Sequence, residues 1–439
     1  MFKSILKNLI VFIITLEARL VLKRYKPKIV AVTGSVGKTS AKDAIATVLG
    51  HKFFVRKSTK SYNSELGVPL VILGCETGWL NPFIWLGNIL EGARLILTPK
   101  KINYPSWLVL EMGVERPGDM KRLVSWIKPD VVVLTALAEI PPHVEFFAGP
   151  EELIREKMKI LKNIGPDHSV ILNGDDRTLC EVKSKISAQI ITFGFNEDVN
   201  LRASNYHITF RKDETTGLKI PEGITFKVDY KGNSVPARIF GSFGKHHIYA
   251  ALAAIGVGLS QDFNLVEISE ALTRYKSPPG RLKLIEGVKN TFILDDTYNA
   301  SPLAMYAGLD TLADLPAVGR KIAVLGDMLE LGKYAVAGHK NVGDRVVKVA
   351  NIFFAVGPRA KFISQEAREQ GFNPKNIFEF STSQEAAKPL EELLKEGDLI
   401  LIKGSQSMRM EKIVEEIMAH PEQKEELLVR QDKIWKNKK

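Results

Sequence analysis

The chain has 439 residues, 45% of them apolar and 25% charged, the balance of an ordinary globular protein long enough for two or three domains. Two cysteines, Cys75 and Cys180, are too few for a disulfide framework or a zinc ribbon. The net charge of +11 is unevenly placed, with seven Lys/Arg against Glu17 alone in residues 1–28 and a second basic cluster at Lys433–Lys439; no nucleic-acid-binding module accompanies it, so an anionic lipid surface or anionic substrate fits better than nucleic acid.

Residues 5–22 are mostly apolar, but their longest charge-free run, Asn8 to Leu16, is well short of the ~20 residues that cross a bilayer. No small-residue cleavage site follows, which argues against a signal peptide. An apolar body with basic ends reads either as a helix lying on the cytoplasmic leaflet or as one packed on the protein's own surface.

Ile29–Val32 reads as a buried strand and Lys38–Leu49 as a helix, joined by a glycine-bearing turn. That is the context of a phosphate loop, in the form T-G-x-x-G-K-T, with Val32 where the commoner spacing has its first glycine. Thr33, Gly34, Ser35, Gly37, Lys38, Thr39 and Ser40 are therefore candidate ATP-binding residues. Turn N–H groups and the helix N-terminus suit an anion, Lys38 suits the β- and γ-phosphates, and the Thr39 hydroxyl suits Mg²⁺. An ATP site beside two distant cysteines points to a reducing, cytoplasmic setting.

Lys57–Pro69 is a polar loop leading into a helix. Residues 79–98 form a second apolar, Trp-containing segment ending at Pro99-Lys-Lys101, read either as a buried core helix or as part of a membrane-facing patch with the N-terminal helix. Strands are expected at Trp107–Leu110, ending in Glu111-Met-Gly113, at Asp130–Leu134, and at Ser169–Leu172, ending in Asn173-Gly-Asp-Asp176. Open α/β sheets bind ligands at such strand ends. Residues 190–240 read as a small β-rich section and about His247–Leu259 as a long helix. Pro278-Pro-Gly280 marks a boundary. Strands at 292–294, 322–325, 352–356, 377–380 and 398–402 then build a second, Rossmann-like α/β unit. The expected organisation is α/β: residues 1–27 an apolar, basic helix; 28–280 a central ATP-binding domain with an apolar insertion at 79–101; 281–421 a C-terminal domain; and 422–439 a charged tail read as a frayed helix.

The phosphate loop, Tyr62-Asn-Ser-Glu-Leu-Gly-Val-Pro69, Leu110-Glu-Met-Gly113, Leu294-Asp-Asp-Thr-Tyr-Asn-Ala-Ser-Pro302, Leu325-Gly-Asp-Met-Leu-Glu-Leu-Gly332 and Ile402-Lys-Gly-Ser-Gln-Ser407 occur in this order. Together they resemble the Mur ligases, the ATP-dependent amide-bond formers of peptidoglycan synthesis, over roughly residues 29–420. The resemblance is greatest to the MurF type, which adds D-alanyl-D-alanine. It implies a carboxylate activated by ATP as an acyl phosphate and then joined to an amine. Both steps concentrate negative charge and call for cations and N–H donors in a dry cleft.

By the same resemblance, Lys38, Glu111, His143 and Lys157 carry the chemistry, and Thr39, Glu111, His143 and Lys157 are the metal set. Lys157 aligns with a lysine that these enzymes commonly carbamylate, which allows a second Mg²⁺; Lys159 is a rival for that register. Arg281, Asp295 or Asp296, Tyr298 and Asn299 are implied to close over the nucleotide. Asn63, Lys403 and Ser405, with Gln406, are implied to face substrate, and Gly326–Gly332 to shape the interdomain cleft. Expected partners are a peptidoglycan-precursor glycopeptide and an amino acid or dipeptide. Nucleic acid is not among them, peripheral membrane contact runs through 1–26 and 79–98 at the inner face of the plasma membrane, and the state is monomeric.

Two departures stand out. Gly244-Lys-His-His-Ile-Tyr-Ala-Ala251 has His247 and Ala250 where the family has asparagines, the first of which faces adenine. About 28 residues precede the phosphate-loop strand, too few for the domain that holds the UDP end of the substrate in the MurF type. Two rival readings are an amidating subunit working with a glutaminase, disfavoured because such subunits usually carry a cysteine cluster, and a nucleotide-binding scaffold without turnover.

Overall fold

The computed structural model describes residues 2–60, 62–79, 81–99, 103–212, 219–432 and 435. The first unit runs α1 (Phe2–Tyr25), β1 (Lys28–Thr33), α2 (Lys38–Leu49), β2 (Val55–Lys57), α3 (Gly67–Leu73), α4 (Pro82–Leu97), β3 (Trp107–Glu111), α5 (Asp119–Val124), β4 (Val131–Leu134), α6 (Pro150–Met158), β5 (Ser169–Asn173), α7 (Arg177–Val182), β6 (Gln189–Gly194), β7 (Leu201–Lys212), β8 (Lys219–Tyr230), β9 (Asn233–Phe240), α8 (Lys245–Leu259) and α9 (Leu265–Leu272). Its nine strands lie in the order β2-β3-β1-β4-β5-β6-β7-β8-β9. Pairing is parallel from β2 through β7 and antiparallel from β7 to β9. Val30, Val32, Val109 and Val133 face a core with α2 and α8, and Ile29, Ala31, Leu108 and Val132 face one with α1, α3 and α5. Covering on both faces explains why these strands read as unbroken apolar runs. The β-rich section expected at 190–240 is not separate: Phe193 pairs with Leu201, so β7–β9 extend the same sheet.

The second unit holds β10 (Lys283–Gly287), β11 (Thr291–Asp296), α10 (Pro302–Asp314), β12 (Lys321–Gly326), α11 (Ala335–Val349), β13 (Ile352–Val356), α12 (Lys361–Glu369), β14 (Ile377–Phe380), α13 (Ser383–Leu393), β15 (Leu399–Lys403) and α14 (Glu411–Ile417). Its strand order is β10-β11-β15-β12-β13-β14, parallel except for the β10 edge. Ser301 caps α10 by accepting the Ala304 N–H, with Pro302 in the first turn. The α/β class read from the sequence holds for both units.

α1 lies beside α4. Arg24 donates to the carbonyls of Ile96 and Thr98, and Tyr25 Oη donates to the Leu95 carbonyl, so the end of α1 satisfies the last carbonyls of α4. One to two turns earlier, Glu17 packs on Gly92, where a Cβ would lie 2.2 Å from the carboxylate. The two helices therefore run in the same direction. Among the described residues no helix is long and apolar enough to cross a membrane.

The tail differs from its expected frayed helix. Leu428 and Val429 are buried, and Arg430 inserts into the turn after β11, donating to the Thr297 and Tyr298 carbonyls and to Glu411 Oε2 at 2.7 Å. Asp432 pairs with Lys60 of the first unit at 3.0 Å. Its many charges gave a solvated reading; pairing with buried carbonyls and a buried carboxylate reverses it. Arg430→Ala leaves Glu411 buried with less compensation and is expected to cost about 3 kcal/mol in urea denaturation. Lys424→Ala, which removes only a surface pair with Glu415, should change stability by less than about 0.5 kcal/mol.

Candidate active site

The turn after β1 is fixed before any ligand arrives. Gly34 has φ +147°, and a Cβ there would lie 2.0 Å from Thr135 Oγ1, so only glycine fits. Thr135, at the end of β4, donates to the Val36 carbonyl at 2.7 Å, and the Ser35 N–H donates to the Ala136 carbonyl at 2.6 Å. Gly37, at φ +84°, turns the chain into α2. This places the first N–H groups of a 12-residue helix over the turn.

Cations crowd this turn. Lys38 Nζ donates to the Gly34 carbonyl at 2.9 Å and lies 3.4 Å from that of Ser35. Lys157 Nζ, from α6, donates to the same Gly34 carbonyl at 3.2 Å. Burial holds the Lys157 pKa well below the usual lysine range, the nearby Lys38 charge lowers it further, and Glu111 opposes both. Lys38 is lowered too, by burial and then, against the pull of Glu111, by Arg281. Lys159, the rival in register, points outward and pairs with Glu156 at 2.5 Å. The α6 register thus puts Lys157 at the loop.

Glu111 ends β3 opposite the loop. Its Oε2 accepts from Thr39 Oγ1 at 3.0 Å and its Oε1 from Asn63 Nδ2 at 3.3 Å. Arg281, entering from the second unit, donates to Thr39 Oγ1 at 3.4 Å and stacks 4.1 Å from the Tyr298 ring. Lys38, Thr39, Asn63, Glu111, Lys157, Arg281 and Tyr298 therefore converge, from positions spread over most of the chain. Ser35 Oγ and Arg281 Nε are buried without a hydrogen-bond partner among the described residues. Mg²⁺ takes few protein ligands and keeps phosphate and water oxygens, so a hydroxyl and a carboxylate meeting beside a phosphate loop fit it. Among the described residues no group of three His, Cys, Asp or Glu side chains gathers as a metal cage.

Other predicted residues are placed differently. His143 (φ +69°) lies 2.5 Å from Glu330 Oε2 of the second unit, and Glu330 is itself at φ +63°. His247 is fully buried with Nε2–H directed at the Arg281 carbonyl at 2.9 Å, so it supports Arg281 from behind. Its neighbour His246 lines the cavity instead, held neutral by burial and nearby positive charge. Helical geometry turns adjacent side chains about 100° apart, which explains the exchange. Lys403 is buried and pairs with Asp296 at 2.7 Å while donating to the Asn299 carbonyl at 2.9 Å. Ser405 Oγ accepts the Leu329 N–H at 2.9 Å and so steadies the 326–332 loop. These two shape the cleft from behind.

A cavity of about 730 Å³ opens beside Gly37 between the two units, bordered by Thr135, Asp175, His246, Tyr249, Tyr306 and Arg345. It is within the size range of a small-molecule site. Tyr249 Oη donates to Asp175 at 2.7 Å, and Arg345 donates to Asp310 at 2.6 Å. Thr135 was missed in the sequence, since it lies in no phosphate-binding pattern; Glu330 falls within the 326–332 stretch expected at the interdomain cleft, but its pairing with His143 was not foreseen.

Known proteins resemble the chain across both units. The Mur ligase middle domain matches residues 90–258, and the Mur ligase glutamate ligase domain matches residues 280–406. The UDP-N-acetylmuramoyl-tripeptide–D-alanyl-D-alanine ligase of Escherichia coli is 30% identical over 393 residues, covering 88% of this chain and 76% of the relative. That of Bacillus subtilis is 27% identical over 416 residues, covering 92% and 79%. The crystal structure of MurF ligase from Thermotoga maritima in complex with ADP is similar with a TM-score of 0.72 at 25% identity, over 93% of this chain and 83% of that one.

The two α6 lysines separate cleanly by experiment. Lys157→Met removes a buried cation, so the melting temperature of the ligand-free protein should hold or rise while ATP turnover falls by about 10²-fold or more. Lys159→Met should leave turnover within error but lower the melting temperature, because it takes the cation from the buried Glu156 carboxylate.

Proposed function

The chain belongs to the Mur ligase family, and on that premise we propose that it is an ATP-dependent peptide ligase that adds D-alanyl-D-alanine to the carboxylate of a muramoyl tripeptide. The observation that carries the reading is the convergence of Lys38, Lys157 and Arg281 on one glycine turn beside the Thr39–Glu111 oxygen pair. The names of those relatives supply the substrates.

The reaction divides into two steps. A carboxylate oxygen attacks the γ-phosphorus of ATP, the bond to the ADP oxygen breaks, and an acyl phosphate forms. The amine nitrogen then adds to the acyl carbon, phosphate leaves with its electron pair, and the amine proton passes to solvent or a nearby base. Negative charge collects on phosphoryl oxygens in the first step and on the acyl oxygen in the second. Lys38, now resting on loop carbonyls, is placed to move onto phosphate. Arg281 brings the charge of the second unit to the same point, and its stacking on Tyr298 orients it. Mg²⁺, held through Thr39 and Glu111, supplies positive charge to the phosphates when bound. The cavity beside Gly37 takes the nucleoside, with neutral His246 and Tyr249 on its wall.

Burial, which lowers the proton affinity of the Lys157 ammonium, favours its uptake of CO₂ as a carbamate. The ammonium first gives up a proton, the amine nitrogen bonds to the CO₂ carbon, a second proton leaves to solvent, and a cation becomes an anion. That anion, with His143 released from Glu330, would hold a second Mg²⁺. Because the Lys157 pKa is lowered, the reactive amine is present above that pKa and is lost by protonation as pH falls through it. The reading places the enzyme in the cytoplasm, where ATP is available.

Phosphate release from ATP with Mg²⁺ and bicarbonate tests it. Release is expected only when UDP-muramoyl tripeptide and D-alanyl-D-alanine are both present, and Lys38→Ala should abolish it. Release that ignores the amine, or none with both substrates while ATP still binds, would sink the assignment.

A further inference from the structure

α1 and α4 each bury one face and expose the opposite one, and the exposed faces are apolar. In α1, Ile14, Ala18 and Val21 are buried, whereas Leu9, Phe12, Leu16 and Leu20 face outward. In α4, Trp85, Gly92 and Leu95 are buried, whereas Phe83, Leu86, Leu90 and Leu97 face outward, the first and last of these 81% exposed. A surface helix ordinarily turns polar residues to water. Elsewhere the exposed large apolar side chains are scattered, which is normal; here nine, with Ile84, occupy two adjacent helices running the same way.

The charge around this face identifies what it meets. Residues 1–28 and 79–101 hold ten Lys/Arg and two Glu, which is eight of the chain's eleven net positive charges. Neither acid offsets the outer face: Glu17 is turned inward against Gly92, and Glu91 is paired with Arg94. Lys7, Arg19, Lys23 and Lys26 are exposed. A second copy of the chain would bring this surplus against itself, whereas an anionic bilayer accepts both the apolar stripe and the cations. α4 has 16 residues, about 24 Å of helix against a hydrocarbon core of about 30 Å, and α1, with 24 residues, is long enough but not apolar enough to cross and buries Ile14, Ala18 and Val21 against the protein, so the pair would lie on a membrane.

We propose that the outer face of the α1–α4 pair is a docking surface for an anionic lipid bilayer, seated in the headgroup region with its apolar side chains inserted and its lysines among the phosphates. The face is tied to the site. Asn88 Nδ2 donates to the Glu76 carbonyl at 2.8 Å, and the Thr77 N–H donates to Tyr62 Oη at 3.1 Å, next to Asn63. Docking therefore carries the Asn63 loop to the membrane surface. The inference stands on this surface alone and does not need the ligase reading.

Co-sedimentation of the full chain with phosphatidylcholine vesicles, with and without phosphatidylglycerol, tests it. Binding is expected with phosphatidylglycerol and should weaken as salt is raised. Phe12→Ser, Leu16→Ser, Phe83→Ser and Leu90→Ser combined should leave the protein in the supernatant with an unchanged far-UV spectrum. Should that variant fold poorly, Lys7→Ala with Lys23→Ala leaves the apolar face intact and should weaken partitioning about fivefold per charge, roughly thirtyfold together. No vesicle binding by the wild type, or binding untouched by the charge variant, would overturn the proposal. A soluble dimer dissociated by the serine substitutions, without vesicle binding, would overturn it in favour of a second copy.

Discussion

Two ammonium groups, Lys38 and Lys157, donate to one uncharged acceptor, the carbonyl of Gly34. This arrangement is electrostatically costly in a partly dry site, and it is the constraint around which the active site is built. Arg281 adds a third cation from the other unit, and Glu111 opposes them from the end of β3. A polyphosphate would meet Lys38 and Arg281 together, exchanging their mutual repulsion for attraction to the ligand. Thr135 and the positive φ of Gly34 hold the turn open for it in advance.

The second unit takes part through a turn that the tail secures. Arg281 stacks on Tyr298, and Arg430 grips the Thr297 and Tyr298 carbonyls from the other side while pairing with Glu411. Asp295, buried in the same turn with Thr297 donating to it, has its pKa pushed up to about 6 by burial. Lys403 neutralises Asp296 beneath. The residues presented to the cleft thus rest on a layer of paired charges whose role is to fix the backbone of residues 295–299. Across the rim, His143 and Glu330 join the units in left-handed backbone conformations that ordinary side chains seldom adopt.

The α1–α4 pair shows how one pair of helices can serve fold and surface together. Its inner face completes the core under β1 and β3, and its outer face keeps the apolar character of a core while lying at the surface. Of the two alternatives read from the sequence for the N-terminal segment, packing on the protein's own surface is seen on the inner side of α1, while the opposite side is apolar.

The sequence by itself determined the elements whose signal is local. The phosphate loop, the α/β alternation and the strand ends carrying Glu111 and Asn173 were legible because backbone propensity and short spacings specify them. The tertiary structure decided what depends on direction and distance. Helical phase selected Lys157 over Lys159 and His246 over His247, since adjacent residues on a helix face different ways. Packing brought Thr135 and Arg430 to the site from segments that carry no motif. It also tucked residues 428–430 of the charged tail against the second unit and joined residues 190–240 to the central sheet, because partners far along the chain, invisible to any local pattern, satisfied their charges and backbone groups.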